Sequence, residues 1–290
     1  MLPMPPRLIV IGDVHGDVCK LMTALKVYKI IGDHPSNLEW VADPPNTVIV
    51  QLGDQLDSQM RMSGSNKWEV VPDTEVLVYM DNLDMAARAH GGRVISLIGN
   101  HELMNVLGDF SYVSEHCMAL GGGHEVRRRL LSPGGEIAIR LAYRPAMLVI
   151  GDIVFTHAGV LPSHISAVEE KFMEQRGRRP MPVEIVNMVN NEMSNYLLGG
   201  PINQDLFTKL FLDADGLIWT RKYSELTPEF LEHLVDDVNM KLGTNRVVVG
   251  HTVVEKICST CNGKVWFTDV GISRAFGDKS TIQVLNIEKK

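Results

Sequence analysis

Five times along the 290-residue chain, a short aliphatic run stops abruptly at small and polar residues. Leu8-Ile9-Val10-Ile11-Gly12 leads into Asp13-Val14-His15-Gly16-Asp17, and Val48-Ile49-Val50-Gln51-Leu52-Gly53 leads into Asp54-Gln55-Leu56-Asp57. Val94-Ile95-Ser96-Leu97-Ile98-Gly99 ends in Asn100-His101-Glu102, Leu148 to Thr156 ends in His157-Ala158-Gly159, and Val247-Val248-Val249-Gly250 ends in His251-Thr252. Short apolar runs bounded by turn residues predict strands buried on both faces. Between them, Val18 to Lys29 and Thr74 to His90 carry apolar residues at helical intervals. The alternation predicts an α/β fold with a largely parallel central sheet and crossovers on both faces. In such sheets polar groups collect beyond the carboxyl ends of the strands.

That edge gathers Asp13, His15, Asp54, Asn100, His157 and His251, all oxygen or imidazole donors. Taken singly, a strand-end Asp is a turn residue and a lone His is a satisfied side chain. Six such donors at one edge would repel one another or stay unsatisfied unless cations compensated them. Two divalent metals sharing one bridging carboxylate meet that requirement.

Composition narrows the class. With 45% hydrophobic and 22% charged residues the chain reads as a soluble globular protein, and a single domain over 1–290 is expected because no repeat or Gly/Ser linker divides it. A net charge of −7 argues against nucleic acid as a partner. The one basic run, Arg127-Arg128-Arg129, reads as a solvated helical turn. No stretch is long and apolar enough for a membrane span, and Asp13 cuts short any signal-like run at the N-terminus. Four cysteines are too few for a disulfide framework, so a cytoplasmic setting is expected. Cys258 and Cys261 flank Asn262-Gly263, a hairpin-turn signal, and read as incidental thiols. The segment 161–213 carries no motif; its helical spacing predicts two or three helices, packed on the sheet edge near the site or forming a scaffold extension away from it.

The motifs Gly12-Asp13-Val14-His15-Gly16, Gly53-Asp54-Gln55-Leu56-Asp57, Gly99-Asn100-His101-Glu102, His157-Ala158-Gly159 and Gly250-His251-Thr252 resemble, in order, those of the calcineurin-like metallophosphoesterases, in their phosphoprotein phosphatase form. Met104 to Val113, Ser132-Pro133-Gly134-Gly135, Leu217 to Arg221 and Asp269 to Ser273 are similar to bacterial-type Shewanella-like protein phosphatases. The resemblance implies a β-sandwich flanked by helices (αββα), with a dinuclear metal site at the strand ends. It implies that Asp13, His15 and Asp54 hold one divalent ion, and that Asp54 bridges to a second held by Asn100, His157 and His251. Manganese, iron and zinc all suit such a nitrogen and oxygen donor set.

The same resemblance makes His101 the general acid and Asp57 the carboxylate that orients it, with Asn100 and the arginines Arg221 and Arg61 beside the substrate phosphate. Two metals about 3.5–4 Å apart would favour in-line attack by a bridging hydroxide. Glu102 reads as a supporting acceptor near His157 or Asn100, and His124 as a loop residue. One departure stands out: the family's second motif continues Asp-Arg-Gly, whereas Asp57 is followed here by Ser58-Gln59-Met60-Arg61. The expected activity is a metal-dependent phosphomonoesterase acting on a phosphorylated protein or a small phosphoester. The alternatives are a dinucleoside polyphosphate hydrolase and, because of Ser58, a catalytically weak metal-holding interaction module.

Overall fold

The computed structural model describes residues 1–33, 38–61, 66–277 and 282–288. Its strands are β1 (Arg7–Ile11), β2 (Val48–Gln51), β3 (Arg93–Ser96), β4 (Met147–Ile150), β5 (Ile153–Thr156), β6 (Arg246–Val249), β7 (Cys258–Thr260), β8 (Val265–Phe267) and β9 (Leu285–Glu288). They form two mixed sheets, ordered β3-β2-β1-β9 and β4-β5-β6-β8-β7. In the first, β1, β2 and β3 run parallel and β9 runs antiparallel to β1. In the second, β5, β6 and β8 run parallel between antiparallel edge strands.

A single central sheet is therefore not what forms. The strand-rich runs divide between two sheets packed face to face, as in the αββα sandwich that the resemblance implies. Alternation along each strand explains why. Leu8 and Val10, Leu148 and Ile150, Ile153 and Phe155, and Val248 all enter one cluster between the sheets. Their neighbours Ile9 and Ile11 face helices on one outer side, while Met147, Val149, Val154, Val247 and Val249 face helices on the other. With one face on a helix layer and one on the opposing sheet, these inner strands bury both faces, and their sequences show unbroken aliphatic runs.

The helices are α1 (Val18–Val27), α2 (Glu75–Arg88), α3 (Asn100–Leu107), α4 (Glu115–Leu120), α5 (His124–Leu131), α6 (Glu136–Leu141), α7 (Pro162–Arg176), α8 (Pro182–Leu197), α9 (Gln204–Phe207), α10 (Lys222–Glu225) and α11 (Pro228–Leu242). The first two match the expected ranges closely and cover the first sheet through Leu21, Ala24, Leu25, Val76, Met80 and Leu83. No helix among the described residues is long and apolar enough to cross a membrane.

One local reading changes, and one open alternative is decided. The run Leu148 to Thr156 is two strands, because Gly151-Asp152 closes a hairpin between β4 and β5, with Gly151 at φ 59°. The segment 161–213 does form helices, but Ile165, Val168, Ile185, Val189 and Met193 bury against the outer face of the second sheet. None of its residues lines the cavity at the strand ends, so it roofs the core away from the site. The β7–β8 hairpin is as expected, with Asn262 and Gly263 both at positive φ and the cysteines free.

Candidate metal centre

The strand ends of both sheets meet. Loops after β1, β2 and β3 come from the first sheet, loops after β5 and β6 from the second, and a cavity of about 700 Å³ opens between them. The loops are knitted by backbone: Val14 and His15 both donate their N–H to the carbonyl of Asp54, at 3.0 and 2.9 Å. Glycines make the approach close enough. A Cβ at Gly250 would stand 2.5 Å from Asp13 Oδ1, and one at Gly53 would stand 2.5 Å from the Gly99 nitrogen. Four polar side chains are delivered by left-handed backbone, at His15 (φ 41°), Asp54 (51°), Asp57 (70°) and His251 (61°). Non-glycine residues in that region cost energy and cluster where a site over-determines the geometry.

Asp54 is the centre of the arrangement. Its Oδ1 accepts the His101 backbone N–H at 3.0 Å. Its Oδ2 faces three imidazole nitrogens: His157 Nε2 at 3.2 Å, His101 Nε2 at 3.8 Å and His15 Nε2 at 3.9 Å. Donor atoms of His15, Asp54 and His101 form one group within 4.8 Å of one another, and those of Asp54, His157 and His251 form another. Asp54 belongs to both, as a bridging carboxylate would.

The donor chemistry fits a cation. His157 spends its Nδ1–H on the Leu52 carbonyl at 2.8 Å, so its Nε2 lone pair points at Asn100 Oδ1 (2.9 Å) and Asp54 Oδ2. Converging lone pairs at that spacing call for a positive charge among them. Burial pushes the His157 pKa down, yet the Asp54 carboxylate outweighs burial and raises it. Burial pulls His15 well below its ordinary value and His251 down to about 3, leaving both as neutral imidazoles able to ligate. Burial also raises Asp54, but His157, His101 and His15 more than offset it and hold the carboxyl well below its usual range.

Asp13 stands slightly apart from the two groups. It accepts the His251 backbone N–H at 3.2 and 3.3 Å, and its Oδ1 lies 4.0 Å from His157 Nδ1. Burial and neighbouring Asp269 push its pKa well up. Asp269 is itself fully buried, with Oδ1 accepting the Gly271 N–H at 2.9 Å and Oδ2 left with no partner. Burial, with Asp54 adding, raises it to about 6. Two buried carboxyls that resist ionisation, one with an orphaned oxygen on the cavity, mark a place where cationic charge is missing.

Of the expected site residues, Asp13, His15, Asp54, Arg61, Asn100, His101, Arg221 and His251 line the cavity, while Asp57 and His157 are fully buried in contact with His101 and Asp54. His101 Nδ1 donates to Asp57 Oδ2 at 2.6 Å; burial lowers the His101 pKa, but Asp54 and Asp57 win and raise it. Arg221 lies exposed at the mouth. Glu102 does not serve His157 or Asn100. It lies in the first turn of α3, two residues after Asn100, and accepts four backbone N–H groups, from Asp54 (2.9 Å), Gln55 (2.8 Å), Leu56 (3.1 Å) and Gly99 (2.8 Å), clamping the loop that presents Asp54.

The profile of the calcineurin-like phosphoesterases matches residues 6–255. The chain belongs to the calcineurin-like phosphoesterase family. Shewanella-like protein phosphatase 2 of Arabidopsis thaliana is 28% identical to this phosphoesterase, the alignment covering 94% of this chain and 73% of the relative. Shewanella-like protein phosphatase 1 of Plasmodium berghei is 28% identical over 92% of this chain and 67% of its own length. The solved cold-active protein-tyrosine phosphatase of a psychrophilic Shewanella species superposes with a TM-score of 0.72 at 25% identity, covering 99% of this chain and 76% of that one. The family's divalent-metal chemistry agrees with the donor groups just described.

Within this phosphoesterase, the departure at position 58 resolves structurally. Ser58 is buried and does not line the cavity; its Cβ occupies space beside Gly16 and Asp73. Arg61 reaches the cavity instead, with its guanidinium 5.0 Å from the Tyr112 ring centre and 5.6 Å from that of Phe276. Its backbone is pinned by the Ala275 carbonyl at 2.7 Å. Tyr112 and Asp269 lie in stretches that resemble Shewanella-like phosphatases but carry no site role in the sequence analysis, and Phe276 is not singled out there. Asp269 repeats the strand-end signature after β8, but Val265-Trp266-Phe267 is too short an apolar run to read as a sixth strand end. Arg127 is no solvated residue: it is buried and ion-paired with Asp73 through both terminal nitrogens, at 2.7 and 2.9 Å. His124 opens α5 rather than lying in a loop, and its ring packs near Phe110.

Proposed function

We propose that this phosphoesterase removes phosphate from phosphorylated protein side chains, phosphotyrosine before phosphoserine and phosphothreonine, in a cytoplasmic setting to which its four free cysteines are suited. The observation that carries the reading is the 2.6 Å His101–Asp57 pair set beside Asp54 Oδ2, with Arg61 and Arg221 on the cavity wall. The protein phosphatase names of its relatives support it. An aromatic rim of Tyr112, Phe276 and Trp219 suits a planar phenyl ester, and the Shewanella structure that this chain resembles is a protein-tyrosine phosphatase.

Two divalent ions, of manganese, iron or zinc, suit the donors Asp13, His15, Asp54, Asn100, His157 and His251. When bound, they would supply positive charge against the phosphoryl oxygens and lower the pKa of a water nucleophile. The chain's own residues do the rest. The planar forks of Arg61 and Arg221 hold and orient two phosphate oxygens. His101, its Nδ1–H fixed by Asp57, presents Nε2–H to the ester oxygen. As the water oxygen bonds to phosphorus and the ester P–O bond breaks, the leaving oxygen takes the His101 proton. Solvent then reprotonates the imidazole.

The test is phosphate release from matched phosphotyrosine, phosphoserine and phosphothreonine peptides and from diadenosine tetraphosphate, with manganese, iron and zinc in turn. Fastest turnover on the phosphotyrosine peptide is expected. Activity on the nucleotide alone would replace this reading with a phosphoanhydride hydrolase.

A further inference from the structure

Asp57 is fully buried, and its carboxylate is fixed at both oxygens. Oδ2 faces His101 Nδ1 at 2.6 Å, and Oδ1 accepts from Asn105 Nδ2 at 2.7 Å. Asn105 is itself held: its Nδ2 also donates to the His101 carbonyl at 2.8 Å, and its Oδ1 accepts from Arg127 Nε at 2.7 Å. The remaining guanidinium nitrogens of Arg127 bind Asp73 at 2.7 and 2.9 Å, and Asp73 Oδ2 accepts the Asp57 backbone N–H at 2.8 Å. Arg127 Nη2 also stands 3.5 Å from Asp57 Oδ1. The Asp57 carbonyl accepts from Arg61 Nη1 at 3.0 Å, but the anchors on its carboxylate and its N–H, apart from His101, all lead back to the Arg127 guanidinium.

Arg127 does not line the cavity, so it touches no substrate. Its bonds go beyond what a structural ion pair needs. Pairing with Asp73 would satisfy two donors, yet the third is spent on Asn105 and so on Asp57. A carboxylate turns easily about its last bond. With Oδ1 held by Asn105 and negative charge offset by Arg127, Oδ2 is left in line with the His101 ring. Asp57 also sits at φ 70°, a strained backbone that the Asp73 contact to its N–H helps to hold.

We propose that Arg127 is a positioning residue for leaving-group protonation: acting through Asn105 and Asp73, it fixes the Asp57 carboxylate that orients His101. The inference rests on the phosphomonoesterase reading above, with His101 as the acid. A planar fork with three engaged nitrogens does this; a lysine, with one point charge, does it incompletely.

The experiment uses the full chain loaded with Mn²⁺ and two substrates. p-Nitrophenyl phosphate has a leaving group that needs little protonation, while phenyl phosphate needs a proton in the transition state. Arg127→Met and Asn105→Ser are each expected to lose roughly ten- to a hundredfold in kcat/KM on phenyl phosphate, a fraction of what a general acid contributes, and several-fold less on p-nitrophenyl phosphate. Arg127→Lys should recover part of the difference. A purely structural role predicts equal losses on both substrates. Asp57→Asn is run alongside. If Asp57→Asn separates the substrates but Arg127→Met and Asn105→Ser do not, the positioning role is overturned and the acid assignment stands. If Asp57→Asn does not separate them either, the acid assignment falls and takes this inference with it. Should Arg127→Met fail to fold, Asn105→Ser decides alone, because it leaves the Arg127–Asp73 pair in place.

Discussion

At Asp54 Oδ2, one oxygen faces His15, His101 and His157, and the charge of that single carboxylate sets the electrostatics of the whole cavity. Asp54→Asn keeps the shape but removes that charge. Metal content per chain should fall and turnover should drop to background, which elemental analysis and phosphate release would record together. Full metal content with full activity would take Asp54 out of the bridging role. Gly99→Ala should do similar damage from the other side, since its Cβ would collide with the Asp54 carboxylate. Arg221→Ala removes a charged grip worth roughly 1.5–3 kcal/mol, so KM should rise about ten- to a hundredfold with little change in kcat. An unchanged KM would leave Arg221 a surface residue.

At the scale of elements, α5 joins the β-sandwich to the acid machinery through the Arg127–Asp73 pair. Asp73 is fully buried, and although burial raises its pKa, Arg127 outweighs burial and lowers it. A carboxylate with a depressed folded pKa stabilises the fold above its unfolded value, near 3.8, and that stability drains away as pH falls through the folded value. Asp73→Asn should therefore be less stable than the parent at pH 7, and the gap should narrow as pH drops below about 4. Thermal unfolding across pH 7 to 3 measures it; a gap that widens in acid would mean that the pair contributes nothing through charge. Beside Asp73, the Cys117 thiol is pushed up to about 12 by burial and by the Asp73 carboxylate. It should resist iodoacetamide at pH 8 in the folded protein while Cys19 and Cys258, both partly exposed, react first. Peptide mapping by mass spectrometry would show the order.

Across the whole molecule, the site is a seam between two sheets. Asp13, Asp54 and Asn100 arrive on the first sheet, and His157 and His251 arrive on the second. Ions bound there would tie the layers together, and chelation should loosen them. With metal at about a hundred times its dissociation constant, linkage contributes roughly 2.7 kcal/mol. For a chain of this size that corresponds to a fall in Tm on the order of 4–5 °C on adding EDTA, reversed by Mn²⁺. An unchanged Tm would mean that the ions contribute nothing to holding the sheets.

Strand-end motifs were legible because their cause is local. A strand buried on both faces must be aliphatic throughout, and a loop that brings charged ligands within 3 Å of other backbones needs Gly beside Asp, Asn or His. That reasoning brought out the six strand-end donors and the ranges of α1 and α2, while the His101–Asp57 pairing came from the family resemblance. It did not distinguish one sheet from two, since a strand packed between helices and a strand packed between a helix and another sheet look the same along the chain. It read Arg127 as solvated because a helix spaces its residues identically whether a face meets water or Asp73. It named Arg61 for the phosphate but not the rings of Tyr112 and Phe276 that frame its guanidinium, which lie far away in sequence and close in space. The chemistry of each donor was written locally; which donors face one another, and which arginine turns inward, only long-range packing could decide.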